Sequence, residues 1–193
     1  AHIYHDSIKG KKWLDELGLN IGRWAGSYAF FYILNRILSD YNPKNILELG
    51  LGESSKFISS FLTHELLEST HHIIEQDAVW KDVFESKNLL SERSSIEIIP
   101  IEQIKFKNKT SIRYEDLSSK KELNYDLYLI DGPYGSRYYS RYDIVDLLSS
   151  KTKEDDFIII MDDCERFGEY QTFKNLLKLL QTKGVEHDYR IYR

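Results

Sequence analysis

Cysteine is almost absent: Cys164 is the only one in 193 residues. That excludes an internal disulfide and any cysteine-rich zinc site, and it fits a reducing, cytoplasmic setting. Proline is scarce as well. Pro43, Pro100 and Pro133 lie far apart, no stretch is rich in Gly and Ser, and no segment repeats, so no linker or low-complexity region is expected. Long apolar runs are missing. The longest, residues 28–34, holds seven residues, whereas a bilayer span takes ~20 and a secretory signal has a leading apolar core. Neither membrane insertion nor export is expected. Positive charge is in deficit, with 26 Lys and Arg against 31 Asp and Glu and a formal net charge of −5. A broad phosphate-binding surface needs clustered Lys and Arg, so nucleic acid is not the expected partner.

What is there fits one ordinary globular domain, with 41% hydrophobic and 30% charged residues. From Phe30 the apolar positions Phe31, Leu34, Ile37, Leu38 and Tyr41 keep helical spacing until Asn42-Pro43 ends the run. Residues 1–43 therefore read as a helical lead-in to a Rossmann-like domain over 44–193. In that domain short apolar runs alternate with helical ones. Strands are expected at 45–49, 72–75, 96–101, 125–131 and 157–162, and helices at 55–67, 78–90, 139–148 and 170–180. Between them the Lys-rich stretch 105–121 reads as an irregular insertion with one short helix, and 185–193 as a further strand. Strand cores such as Phe157-Ile158-Ile159-Ile160-Met161 are apolar throughout, as in strands buried on both faces. The fold class is α/β, a doubly wound, mostly parallel sheet in a single domain.

Open parallel sheets bind ligands beyond the carboxyl ends of their strands. Four of the five expected ends are acidic or Gly-bearing: Glu48-Leu49-Gly50-Leu51-Gly52-Glu53-Ser54-Ser55, Glu75-Gln76-Asp77, Asp131-Gly132-Pro133 and Asp162-Asp163. Gly50 and Gly52 allow a turn whose backbone a ligand can approach, and Ser54 or Ser55 can cap the following helix. Glu75 lies where an acid closing the second strand takes both hydroxyls of a ribose, with Gln76 beside it. Ile101 and Glu102, after Pro100, are expected to face an adenine. The bland alternatives are a tight turn at the glycines and a solvated strand end at Glu75. A dinucleotide fingerprint would want a third Gly where Ser55 stands, and Glu53 puts negative charge where a pyrophosphate would sit. A nucleoside cofactor without phosphate is preferred.

Ile46-Leu47-Glu48-Leu49-Gly50-Leu51-Gly52 resembles the first motif of the class I S-adenosylmethionine-dependent methyltransferases, and Glu75 matches their ribose-binding acid. Leu129-Ile130-Asp131-Gly132 with Ile160-Met161-Asp162-Asp163 is similar to the metal-dependent O-methyltransferases acting on small molecules and sugars. The resemblance implies S-adenosylmethionine as cofactor, held by Glu48, Gly50, Gly52, Ser54, Ser55, Glu75, Gln76 and Asp131. It also implies a divalent ion such as Mg²⁺ on Asp131, Asp162 and Asp163. Tyr134 stands where some catechol-type members carry a lysine, and with Asp131 and Asp163 it is a candidate catalytic residue. Converging carboxylates repel unless protonated or bridged, and a hard cation would also acidify an acceptor hydroxyl. The alternative is that Asp163 only caps the segment before the last helix.

Arg137, Arg141 and Arg166 are candidates to pair an anionic group on the acceptor, or else to neutralise the nearby acids. The expected acceptor is small and polar, such as a sugar or nucleotide-sugar, and a homo-oligomer is compatible with the sequence. The rivals are a nicotinamide-dependent oxidoreductase and a non-catalytic binding subunit. His71-His72 reads as a surface pair, since neighbours on a strand point to opposite faces. Cys164 lines the pocket without a nucleophilic role.

Overall fold

The computed structural model describes residues 1–22 and 26–192. Five strands form one sheet: β1 (Asn45–Leu49), β2 (Thr70–Glu75), β3 (Ser94–Ile98), β6 (Leu127–Ile130) and β7 (Ile158–Met161). Their order is β3-β2-β1-β6-β7 and every pairing is parallel. This is the order of an open Rossmann-like sheet. The chain winds outward from β1 in both directions, so the strand order reverses between β1 and β6, where Leu49 pairs with Ile130.

Alternation along the strands divides the core into two layers. Ile46, Leu127 and Leu129 pack with the lead-in helices α1 (His2–Ser7), α2 (Lys12–Asp15) and α3 (Tyr28–Asp40) and with α4 (Glu53–His64). Leu47, Leu49, Tyr128 and Ile130 pack on the other side with α7 (Asp143–Leu147) and α8 (Phe167–Thr182). The expected lead-in thus shares a core with the sheet. Phe31, Leu34 and Leu38 of α3 are wholly buried there, each worth roughly 1.5–3 kcal/mol over leaving it exposed. Ser27 caps α3 by accepting from the Phe30 amide at 3.2 Å.

Several expectations are corrected. The third strand stops at Ile98, three residues short, because after the Ile99 amide donates to the Glu75 carbonyl at 2.9 Å, Pro100 has no N–H to continue the ladder. The stretch 105–121 is mostly an antiparallel hairpin, β4 (Ile101–Phe106) and β5 (Lys109–Tyr114), with a short helix α6 (Ser118–Lys121) after it. Lys107 and Asn108 form its two-residue turn, with φ of 46° and 60°, the left-handed pair that matches strand twist. Lys105 alternates with Ile104 and Phe106, Lys107 sits in the turn and Lys109 opposes Phe106 at the strand end, all three exposed, so strand alternation was hidden under a loop-like composition. α5 (Ala78–Glu85) ends before residue 90, where Asn88 Nδ2 turns back to the Phe84 carbonyl at 2.9 Å. α7 begins only at Asp143, because Tyr139 and Arg141 are left-handed, with φ of 48° and 56°. β7 is half-buried rather than buried on both faces, since it is the outermost strand beside β6. Residues 185–192 form no strand, and residue 193 lies outside the described residues.

His71-His72 is no surface pair. His71 is wholly buried, with Nε2 2.9 Å from Glu48 Oε2 and Nδ1 3.3 Å from Ser94 Oγ. His72 Nδ1 lies 2.7 Å from the Tyr125 hydroxyl on the other face of the sheet. No described helix is long and apolar enough to cross a membrane.

Candidate active site

A cleft of 690 Å³ opens over the carboxyl ends of β1, β2, β6 and β7, at the reversal of strand order. Its volume suits a small organic ligand. It is lined by Gly50 and Leu51 from the β1 turn, Glu75, Gln76 and Asp77 from the end of β2, and Trp80 from the first turn of α5. Asp131 through Gly135, Arg141, Asp162, Asp163 and Arg166 form the opposite wall. Among these residues five carboxylates face two guanidiniums, a formal charge of −5 + 2 = −3.

The β1 turn is shaped by contact between loops. Gly50 has φ 104°, and a Cβ there would meet Gly132 N at 3.0 Å and the Asp131 carbonyl carbon at 3.2 Å. Gly132 answers from the turn after β6, where a Cβ would stand 2.7 Å from the Tyr114 hydroxyl. The pair lets two strand-end turns touch, so Gly50's missing side chain serves the protein before any ligand. Gly52 begins α4. Its N–H donates to Ser55 Oγ at 3.0 Å, half of a capping box. Ser54 Oγ donates to Glu48 Oε1, and Glu48 is wholly buried between Ser54 and His71. Glu48, Gly52, Ser54 and Ser55 therefore support the turn from beneath and do not line the cleft. The charge of Glu53 is turned aside too, paired with Lys56 at 2.9 Å and accepting from Asn20 N at 3.0 Å.

Glu75 lines the cleft but is only 3% exposed. Its Oε2 accepts from Leu51 N at 2.9 Å, and its Oε1 accepts from Gln76 N at 2.8 Å and Asp77 N at 2.9 Å. It thereby ties the β1 and β2 turns together, and about one of its four acceptor positions stays open. Asp77 adds another carboxylate: Oδ1 caps α5, accepting from Val79 N at 2.9 Å and Trp80 N at 3.0 Å. Trp80 Nε1 donates to the Leu51 carbonyl at 2.8 Å, while 41% of the residue remains exposed along the cleft. In the sequence Asp77 stood out only as part of the second strand's acidic end, with no role of its own, and Trp80 was not expected, although an Asp followed by an aromatic in the next first turn was a readable signal. Ile101 and Glu102, by contrast, belong to the hairpin. Glu102 pairs with Arg113 at 2.7 Å and neither residue lines the cleft.

The acids at the ends of β6 and β7 do come together, around an arginine. Arg141 Nη2 lies 3.1 Å from Asp131 Oδ1 and 2.9 Å from Asp163 Oδ2, while Nη1 donates to the Asp162 carbonyl at 3.1 Å. Arg166 Nη1 adds a second contact to Asp163 Oδ2 at 2.8 Å. Asp162 Oδ1 accepts from the Asp163 amide at 2.9 Å. Burial pushes the Asp131 carboxyl up to about 7, against the pull of Arg141 and with the help of Asp162 and Asp163. Its side chain is still 39% open to the cleft, so water screens part of that penalty. Burial likewise raises Asp162 and pushes the Cys164 thiol up to about 11, and Cys164, expected to line the pocket, is not among the residues that line the cleft.

Among the described residues no three His, Cys, Asp or Glu side chains converge to hold a metal ion. A guanidinium lies between the Asp131 and Asp163 carboxylates and bonds Asp162 only at its backbone carbonyl, so the divalent ion that the resemblance implies does not fit this arrangement. Of the other expected residues, Tyr134 stands on the cleft rim, 57% exposed, and Arg166 lines the cleft half-exposed. Arg137 stacks over Tyr138, 5.5 Å from its ring centre, and does not line it. Arg141 is too deeply engaged to meet an acceptor. Comparison of the chain with protein-family models, curated proteins and solved structures finds no match.

Proposed function

We propose that the protein is an S-adenosylmethionine-dependent methyltransferase that transfers a methyl group to a hydroxyl of a small polar acceptor, with a sugar as the favoured class. The observation that carries this reading is the charge of the cleft: among its described lining residues, five carboxylates against two guanidiniums, at the reversal point of a parallel sheet. That field attracts a cationic sulfonium and disfavours a pyrophosphate. The start of α4, where a dinucleotide's pyrophosphate would sit, is not part of the lining, so the fold alone does not favour a nicotinamide enzyme.

When bound, S-adenosylmethionine supplies an electrophilic methyl group on sulfur. The residues of the chain do the positioning. The open acceptor position of Glu75 and the uncapped oxygen of Asp77 can take ribose hydroxyls, and Trp80 offers its exposed face to the adenine. Asp131 is held through Oδ1 by Arg141, which leaves Oδ2 to accept the proton of an acceptor hydroxyl as its oxygen attacks. Tyr134, on the rim of the same wall, offers a ring for a sugar to stack on.

Paired variants separate the two roles. Asp131→Asn should lower turnover by about 10²–10⁴-fold, the scale of a lost acid–base group, while leaving affinity for S-adenosylhomocysteine nearly unchanged. Glu75→Ala should weaken that affinity by about 1.5–3 kcal/mol, the scale of a hydrogen bond to a charged group. Full turnover in Asp131→Asn would remove the base.

A further inference from the structure

We infer that Arg141 is a built-in cation that takes the place of a divalent metal ion at the ends of β6 and β7. Its guanidinium meets the carboxylates of Asp131 and Asp163 at 3.1 and 2.9 Å and bonds Asp162 through its backbone carbonyl at 3.1 Å. With Arg166 on Asp163, two carboxylates meet two guanidiniums, and the neighbouring Asp162 carboxylate, which accepts from the Asp163 amide, brings the cluster to a formal −3 + 2 = −1. The repulsion that would call for a dication is largely offset before any ion arrives.

The fold goes to some length to deliver this side chain. Arg141 is 4% exposed and its backbone is left-handed at φ 56°, two residues after the left-handed Tyr139. Such a conformation is costly for a side chain with a Cβ and persists only where its surroundings hold it. Here they do. Ser140 between them is pinned by Thr172 Oγ1 on its carbonyl at 2.6 Å and by the Ser136 amide on its Oγ at 3.0 Å. Gly168, at the start of α8, lets the loop press so close that a Cβ there would strike the Ser136 carbonyl. Arg141 Nε is buried without a partner among the described residues, so the contacts are concentrated at the end that meets the acids. A planar fork with fixed donor directions also orients Asp131, which a freely exchanging ion would not do in the same way. Arg141 is thus a positioning residue for Asp131, and the chemistry at this site needs no metal.

The test is uptake of Mn²⁺, read by electron paramagnetic resonance on the intact chain, a signal independent of any activity. The wild type should leave Mn²⁺ free. Arg141→Gly and Arg141→Asn, chosen because those residues accept a left-handed backbone, should expose the acids and bind one Mn²⁺ per chain, with Kd at or below about 1 mM, the weak end for oxygen-ligand sites. Asp162→Asn on the Arg141→Gly background should weaken that binding by at least ~10-fold. Uptake of one Mn²⁺ by the wild type, lost in Asp162→Asn, would overturn the assignment. So would folded Arg141→Gly and Arg141→Asn variants, checked by circular dichroism, that take up none. If neither variant folds, the wild-type titration decides alone. The inference bears on the proposed function through one further arm: turnover should survive chelation unchanged. Failure to bind S-adenosylhomocysteine would sink the functional reading and leave the Mn²⁺ result standing.

Discussion

Asp143 gives the sharpest test of the electrostatics. It opens α7 at 5% exposure, its Oδ1 accepts from the Tyr114 amide at 3.1 Å, and its Oδ2 is buried without a partner among the described residues. Burial pushes its carboxyl up from 3.8 to about 7, against the Tyr114 hydrogen bond. A carboxyl whose pKa is raised on folding binds its proton more tightly in the native state, so its contribution is fully present below pH 3.8 and is lost as pH rises through 7. At ~1.36 kcal/mol per unit, the shift costs the native state up to ~4 kcal/mol once the group is ionised. Asp143→Asn keeps the oxygen that meets Tyr114 and cannot ionise. Urea unfolding of both proteins from pH 4 to pH 8 isolates the effect, because Asp131 and Asp162 titrate in both. The variant should gain on the wild type steadily between pH 4 and pH 7, and the difference should level off above. A difference that stays flat across that range would refute a buried, proton-holding Asp143.

Other parts of the account can be checked as directly. Gly50→Ala forces a Cβ into Gly132 at a φ of 104° and should cost about 1–3 kcal/mol, seen as a fall in the melting temperature; an unchanged melting temperature would mean the two turns do not touch. His71→Leu leaves the buried Glu48 with Ser54 alone and should cost about 3–5 kcal/mol in urea unfolding, the scale of a broken buried polar pair; a loss under ~1 kcal/mol would show that water reaches Glu48. Replacing Lys107-Asn108 by Asn-Gly suits two left-handed residues better and should raise stability by a few tenths to ~1 kcal/mol. Trp80→Phe keeps a ring but loses the bond to Leu51; fluorescence quenching by S-adenosylhomocysteine should vanish with it, and quenching that persists would place the adenine elsewhere.

The parallel sheet was legible because β1, β2, β6 and β7 carry apolar runs, and strand ends marked by Gly50, Glu75, Asp131 and Asp162 told where a cleft would open. What stayed hidden depends on partners distant in sequence. The hairpin was masked by exposed lysines in its strands and turn, and nothing local to Tyr139 or Arg141 announces a left-handed backbone. Glu48 looked like a cofactor ligand because strand-end acids usually are. Only the β1–β2 register, which sets Ile46 beside His71, brings the buried histidine within reach of Glu48. Arg141 could be read as neutralising acids or as binding substrate, and burial decides between those readings.

The central claim is that the acid-lined cleft takes a sulfonium nucleoside without phosphate. Calorimetric titration of the wild-type protein with S-adenosylhomocysteine and, separately, with NAD tests it most directly. The account predicts one S-adenosylhomocysteine per chain, weakened in Glu75→Ala, and no heat from NAD. Binding of NAD in place of S-adenosylhomocysteine would contradict it, and binding of neither would leave a Rossmann-like subunit without this cofactor.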